Sequence, residues 1–255
     1  ELPAAKISGD SRGSYPLVKE HDPYLTLLCS LPGFDALFAH KIAPLSRLRL
    51  DQHLLQLSAE HRTQLQAVEQ ILSFSRWPAD ISSDLAQSRI QSLLTAVGDP
   101  RAKQLTEDML DLYAVNNALT LRHSREEYAS QPPRFIWCHS RFRKQIEQHW
   151  QDADFGLGHY FRWITEVSEA LQQNQLLAAQ KKFSASVWAH LLRQRPEDEF
   201  GFFAVVIYVL KWTYADHWSR AGSEQAGQRF AQLVNSYQKN QPGAVSSTFQ
   251  QELSA

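Results

Sequence analysis

The chain has 255 residues, 43% hydrophobic and 21% charged, with 13 Phe, 8 Tyr and 7 Trp. That length can bury a sizeable core in one large domain or two small ones, and the aromatic and aliphatic content excludes disorder over most of it. Charge is nearly balanced, with 26 Lys and Arg against 27 Asp and Glu, so the large basic excess that gives a dedicated nucleic-acid binder its affinity is missing.

Glycine and proline are sparse, at 10 and 11, which argues against a strand-and-turn architecture and predicts an all-α, multi-helix fold. Residues 1–22 are polar, lack the apolar core of a signal peptide, and are expected to form a flexible lead-in. The apolar run Tyr24 to Leu31 stops at Pro32-Gly33, and at this length periodicity leaves strand and helix both open. Cys29 lies in this run and Cys138 far downstream. Two cysteines are too few for a disulfide framework or a four-thiolate metal site, and their apolar neighbours predict that both are buried.

Pro44 and the leucines Leu45, Leu48 and Leu50 lead into a helical region. There Ser58 is the predicted N-cap, and Leu65, Val68, Ile71 and Leu72 recur at spacings of three and four. Trp77-Pro78 breaks that helix. Ile81 to Val97 reads as the next, with Gly98 as its C-terminal stop. Asp99-Pro100 then supplies an N-cap and a proline at the first helical position, opening a helix through Leu105, Met109, Leu112, Val115 and Leu119.

Gln131-Pro132-Pro133 marks the expected boundary between an N-terminal helical lobe, 23–130, and a C-terminal one, 134–239. Beyond it come a short segment from Phe135 to Trp150, a turn-rich stretch from Asp152 to Gly158, and helices from Tyr160 to Leu171 and from Leu176 to Leu192. Glu197-Asp198-Glu199 places acids where a helix start would favour them. Phe200 to Leu210 is then expected to be the most buried helix; eleven residues fall well short of the roughly 20 that cross a bilayer. Ser223 opens a last predicted helix through Phe230, Leu233 and Val234 to Tyr237, followed by a frayed tail over 240–255.

Chemistry-bearing constellations are missing from the sequence. No two histidines sit three or four apart on one predicted helix face, and no His-Glu-x-x-His pair occurs. Gly156-x-Gly158 lacks the third glycine of a dinucleotide loop, and no phosphate-binding Gly-Lys-Ser or serine-nucleophile elbow is present. The paired acids Glu126-Glu127 and Glu197-Asp198-Glu199 read as solvated faces rather than an acid/base couple. The expectation is a protein that is not an enzyme, with no metal, no cofactor and no small-molecule substrate.

The most suggestive cluster is the segment 134–144, in which Arg134, Arg141, Arg143 and Lys144 interleave with Phe135, Trp137 and Phe142 and no acid intervenes. Its aromatics could sit in the core with the bases in water. It could instead be a charged surface for a protein partner, or a stacking platform for single-stranded nucleic acid. Arg134, Trp137, Arg141, Arg143 and Lys144 are therefore the candidate partner-binding residues, and a nucleic-acid-binding helical module is the alternative reading.

Four motifs in order resemble one family. Tyr24-Leu-Thr-Leu-Leu-Cys-Ser-Leu-Pro32 is the first, and the helix from Asp108 to Arg122, with Asn117 before Ala118-Leu119, is the second. Asp154-Phe-Gly-Leu157 followed by Trp163 is the third. The fourth runs from Glu199 to Leu210 and continues through His217-Trp218-Ser219-Arg220 to Gly227 and Phe230. Together they are similar to an uncharacterised bacterial family whose genes lie within V-type ATPase operons, roughly where the adaptor between central stalk and membrane ring would be encoded. His217 departs from the arginine expected before Trp218, and the first 20 residues have no counterpart. The resemblance implies a cytoplasmic, all-helical assembly or coupling subunit of a V/A-type rotary ATPase, peripheral at the inner membrane only through its complex. It implies stalk or rotor-ring subunits as partners, with this chain in the place of the helical adaptor between them.

Overall fold

The computed structural model describes residues 23–34, 36–38, 43–73, 83–124, 126–132 and 139–221. Among them the structure is all-helical, with no strand. The elements are α1 (Leu25–Ser30), α2 (Arg47–Leu54), α3 (Ala59–Leu72), α4 (Ser83–Ala96), α5 (Pro100–Ser124), α6 (Glu126–Ala129), α7 (Arg143–Gln148), α8 (Trp163–Gln172), α9 (Leu176–Arg193) and α10 (Phe202–Ala221). The lead-in, the break at Trp77-Pro78, the stretch 133–138 at the expected lobe boundary, the helix predicted from Ser223 and the tail lie outside the described residues.

Side-chain caps fix the starts of three helices. Ser58 caps α3 by accepting the N–H of His61 at 3.1 Å, and Asp99 caps α5 by accepting that of Ala102 at 2.7 Å. Ser46 does the same for α2, through the N–H of Arg49 at 3.4 Å. The Tyr24–Leu31 run resolves as helix α1, whose inward residue is Leu27. Cys29 lies on its outer side and is exposed, contrary to the expectation from its apolar neighbours, because a one-and-a-half-turn helix buries only one stripe. Cys138 lies outside the described residues.

Gly98 follows the end of α4 as predicted, for a different reason. Its backbone is not among the left-handed residues; instead the amide of Gln64 packs where a Cβ would be, 3.2 Å away, and accepts the N–H of Asp99 at 2.9 Å. The acids before α10 are also placed differently. None lies in its first turn, and Asp198 folds a turn ahead of the helix by accepting the N–H of Phe200 at 3.0 Å.

α5 is the element on which the others assemble, packing against α3, α6, α7, α8, α9 and α10. Its buried residues run from Ala102 to Leu119 and cover more than one face, as a central helix requires. α10 is buried nearly all round between Phe202 and Trp212, with Val205, Val206 and Val209 fully enclosed, and it extends well past Leu210 to Ala221. No helix among the described residues is long and apolar enough to cross a membrane. One hydrophobic cluster contains residues from Tyr24 to Trp212.

The irregular stretch 149–162 is held down by α5. Arg122 donates to the carbonyls of Trp150, Asp152 and Ala153 at 2.7, 2.6 and 3.0 Å, and its guanidinium lies 4.4 Å from the centre of the Phe155 ring. Phe155 is fully buried at φ 55 and Gly156 follows at φ 66, so the backbone is left-handed at two successive residues. A bulky side chain there costs about 1–3 kcal/mol, offset by the burial of its ring and by the carboxylate of Asp154, which accepts the N–H groups of Gly156 and Gly158. Replacing Arg122 with Met keeps the apolar stem but removes every hydrogen bond of the clasp. Urea unfolding is expected to show a loss of about 2–4 kcal/mol; an unchanged midpoint would show that the clasp contributes nothing.

Candidate partner-binding surface

Of the sequence-derived candidates, Arg134 and Trp137 lie outside the described residues. The structure places Arg141, Arg143 and Lys144 just before and in the first turn of α7, and gives each a different role. Arg141 is tied inward. Its Nε donates to Oδ2 of Asp111 and its Nη2 to Oδ1 of Asp108, both at 2.6 Å, while its backbone N–H reaches Oδ1 of Asp111 at 2.9 Å. Ser140 adds a fourth donor to this cluster, its hydroxyl bonding Oδ1 of Asp111 at 2.8 Å.

Asp111 is only 2% exposed on α5, a burial that a carboxylate tolerates only when paired and hydrogen-bonded. Arg141 meets that need while its own side chain stays 56% exposed. Burial acts to lower the Arg141 pKa, but the hydrogen bonds and charges of Asp111 and then Asp108 outweigh it, so the net movement is upward. Arg141 therefore anchors the segment entering α7, and part of the basic character read from the sequence is used internally.

Arg143 forms an i,i+4 pair with Glu147 at 2.9 Å. Lys144 is exposed, and no ion pair involves it among the described residues. Phe142 is partly buried and joins aromatic residues from beyond the 134–144 cluster. Its ring centre lies 5.3 Å from that of Tyr160 and 5.2 Å from that of Phe161, and the tilted ring of His159 lies 3.9 Å from that of Tyr160. Tyr160 is 60% exposed although it rests on this ring pair. Arg162, two residues on, is exposed as well. The left-handed turn at Phe155-Gly156 falls within the stretch Asp152 to Gly158 that the sequence marks as turn-rich, and beyond it Tyr160 packs beside Phe142.

A half-open cavity of about 190 Å³ lies between the C-terminal parts of α5 and α8, lined by Leu119, Arg122, His123, Ser168, Leu171 and Gln172. It is smaller than the roughly 300 Å³ at which small-molecule sites begin. Among the described residues no three His, Cys, Asp or Glu side chains group so as to hold a metal ion. Compared with family models, curated proteins and solved structures, the chain matches none.

The acidic cluster also has a titratable edge. His190 on α9 lies 3.8 Å from the free oxygen of Asp108. Burial pushes its imidazole below the ordinary value of 6.5 and Arg193 acts the same way, against the opposing pull of Asp108. The unfolded chain therefore takes up this proton at a higher pH than the folded one, so stability is lost as pH falls below 6.5. Urea midpoints measured between about pH 7 and pH 5 are expected to fall less steeply for His190→Gln than for the parent protein. Parallel slopes would show that His190 titrates alike in both states.

Proposed function

We propose that this chain is a non-catalytic assembly or coupling subunit of a V/A-type rotary ATPase, acting as a helical adaptor that contacts stalk or rotor-ring subunits. The observation that supports it best is that the four separated motifs behind the sequence resemblance are mutually bonded. The first and fourth join where the N–H of Tyr24 meets the carbonyl of Phe200 at 3.1 Å and the hydroxyl of Tyr208 donates to the carbonyl of Pro32 at 2.9 Å. The second and third join through Arg122 and the 150–155 turn. The second and fourth join through Tyr113 and Tyr214, whose hydroxyls lie 2.6 Å apart. Burial lifts the Tyr113 hydroxyl from its ordinary value near 10 to about 12.

Motifs that bond to one another define a fold, and a rigid helical body with aromatic and charged groups on its surface suits an adaptor. The nucleic-acid alternative is weakened by the chemistry of α7. Arg141 and Arg143 already face carboxylates, which leaves Lys144 as the one cation of residues 139–144 that enters no ion pair among the described residues.

Affinity capture of the tagged chain from gently solubilised native membranes, read by mass spectrometry, tests the proposal. ATPase stalk and ring subunits are expected to co-purify. Their absence, from an extract in which the assembled ATPase is demonstrably present, would overturn it.

A further inference from the structure

Leu119, Arg122 and His123 stand at i, i+3 and i+4 on α5, and Ser168, Leu171 and Gln172 repeat that spacing on α8, so each triplet shares one face of its helix. The two faces line the half-open cavity of about 190 Å³. We propose that this cavity is a binding site for a short-chain monocarboxylate, its carboxylate held by Arg122 and Ser168 and its alkyl end resting on Leu119 and Leu171. The site goes beyond the adaptor reading and stands whatever the chain assembles with.

Arg122 decides the sign of the ligand. Its hydrogen bonds go from Nη1 and Nη2 to neutral carbonyls, and among the described residues its Nε makes none and no carboxylate pairs with it. Burial lowers its pKa, and Asp152, itself paired with His149, opposes this only in part. A half-buried cation without a paired counter-charge is stabilised by an anion and repels a cation. No Asp or Glu lines the cavity.

Ser168 supplies a second donor. The residue is only 7% exposed, yet its hydroxyl makes no hydrogen bond among the described residues. A buried hydroxyl without a partner is costly, and here it lines a space in which a carboxylate oxygen can accept from it. Gln172 is exposed and adds a side-chain amide at the mouth.

Helix C-termini attract cations through their free carbonyls, but at the end of α8 those acceptors are taken. The carbonyls of Glu169, Ala170 and Leu171 accept the N–H groups of Gln173, Gln175 and Asn174 at 3.1, 2.8 and 2.8 Å, with Asn174 left-handed at φ 56. What negative potential the two helix ends retain opposes a second charge on the ligand, so one carboxylate fits where a phosphate dianion does not. Leu119 and Leu171 are both buried and form an apolar wall. The volume admits only a few heavy atoms, which keeps the alkyl end short.

The test titrates the full chain, labelled with nitrogen-15, with sodium propionate at constant ionic strength, following the backbone amides of residues 119–123 and 168–172 by NMR. Propionamide, propylammonium and sodium phosphate run alongside as the neutral, cationic and dianionic comparators. Saturable shifts confined to the cavity are expected for propionate alone, with binding about tenfold weaker in Ser168→Ala. The urea midpoint of that variant without ligand is expected to match the parent's, since the hydroxyl removed has no partner in the fold. Should the variant fail to fold, the four ligands compared on the parent chain decide the matter by themselves. No saturable shift with propionate, an equal response to propionamide or propylammonium, tighter binding of phosphate, or unchanged affinity in a folded Ser168→Ala would each overturn the inference.

Discussion

Two charged side chains on one face of α5 hold in place the part of the chain that has least helix of its own. Asp111 and Arg122 are eleven residues apart, which in an α-helix is three turns, so they point within about 20° of one another some 16 Å apart along the axis. The segment from Ser140 to Ala153 spans the distance between them. Irregular backbone packed on a core must have its polar groups satisfied, and here the two ends are satisfied by opposite chemistry. The carboxylate of Asp111 collects donors, the hydroxyl of Ser140 and the N–H of Arg141, whereas the guanidinium of Arg122 collects the carbonyls of Trp150, Asp152 and Ala153. Exchanging the two residues would put like against like at both ends.

The arrangement explains why the strained turn can exist and why it matters for the surface. Phe155 adopts a left-handed backbone because its ring is sealed between Arg122 and Trp150, whose ring centre is 5.4 Å away. That turn reverses the chain, and Tyr160 arrives beside Phe142, at the other end of α7 from Trp150. Gln145 reinforces the approach by donating to the carbonyl of Gly156 at 2.8 Å. Exposure of Tyr160 is thus a consequence of core packing several residues away, and its position is set by α5 as much as by its neighbours in the chain.

Much of this is legible in the sequence wherever the signal is local. Ser58 and the Asp99-Pro100 pair announce helix starts because a cap acts over three residues, and the apolar run from Phe200 announces a buried helix because no face of it is polar. Signals that act across space mislead or stay invisible. The apolar neighbours of Cys29 point to burial, although a short helix sends adjacent residues to different sides. Gly98 reads as a left-handed cap, whereas its role depends on Gln64, 34 positions earlier. The 134–144 cluster contains no acid in sequence, but Asp108 and Asp111 meet Arg141 from some thirty residues away. One clue to that pairing is present: Asp111 sits among Met109, Leu110 and Leu112 on a helix with apolar residues at every nearby turn, where an unpaired carboxylate would be too costly.

What separates a structural cation from a functional one is therefore whether the fold already contains its counter-charge. Arg141 has two carboxylates and Arg122 three carbonyls, and removing Arg141 would take from the buried Asp111 the donor to its Oδ2. Their conformations are fixed by these bonds, so neither is free to follow a partner. Lys144 and Arg162 are exposed, and no ion pair involves either among the described residues. A linear sequence puts all of these cations in one class because it counts charges, and only the counter-charges supplied by α5 divide them.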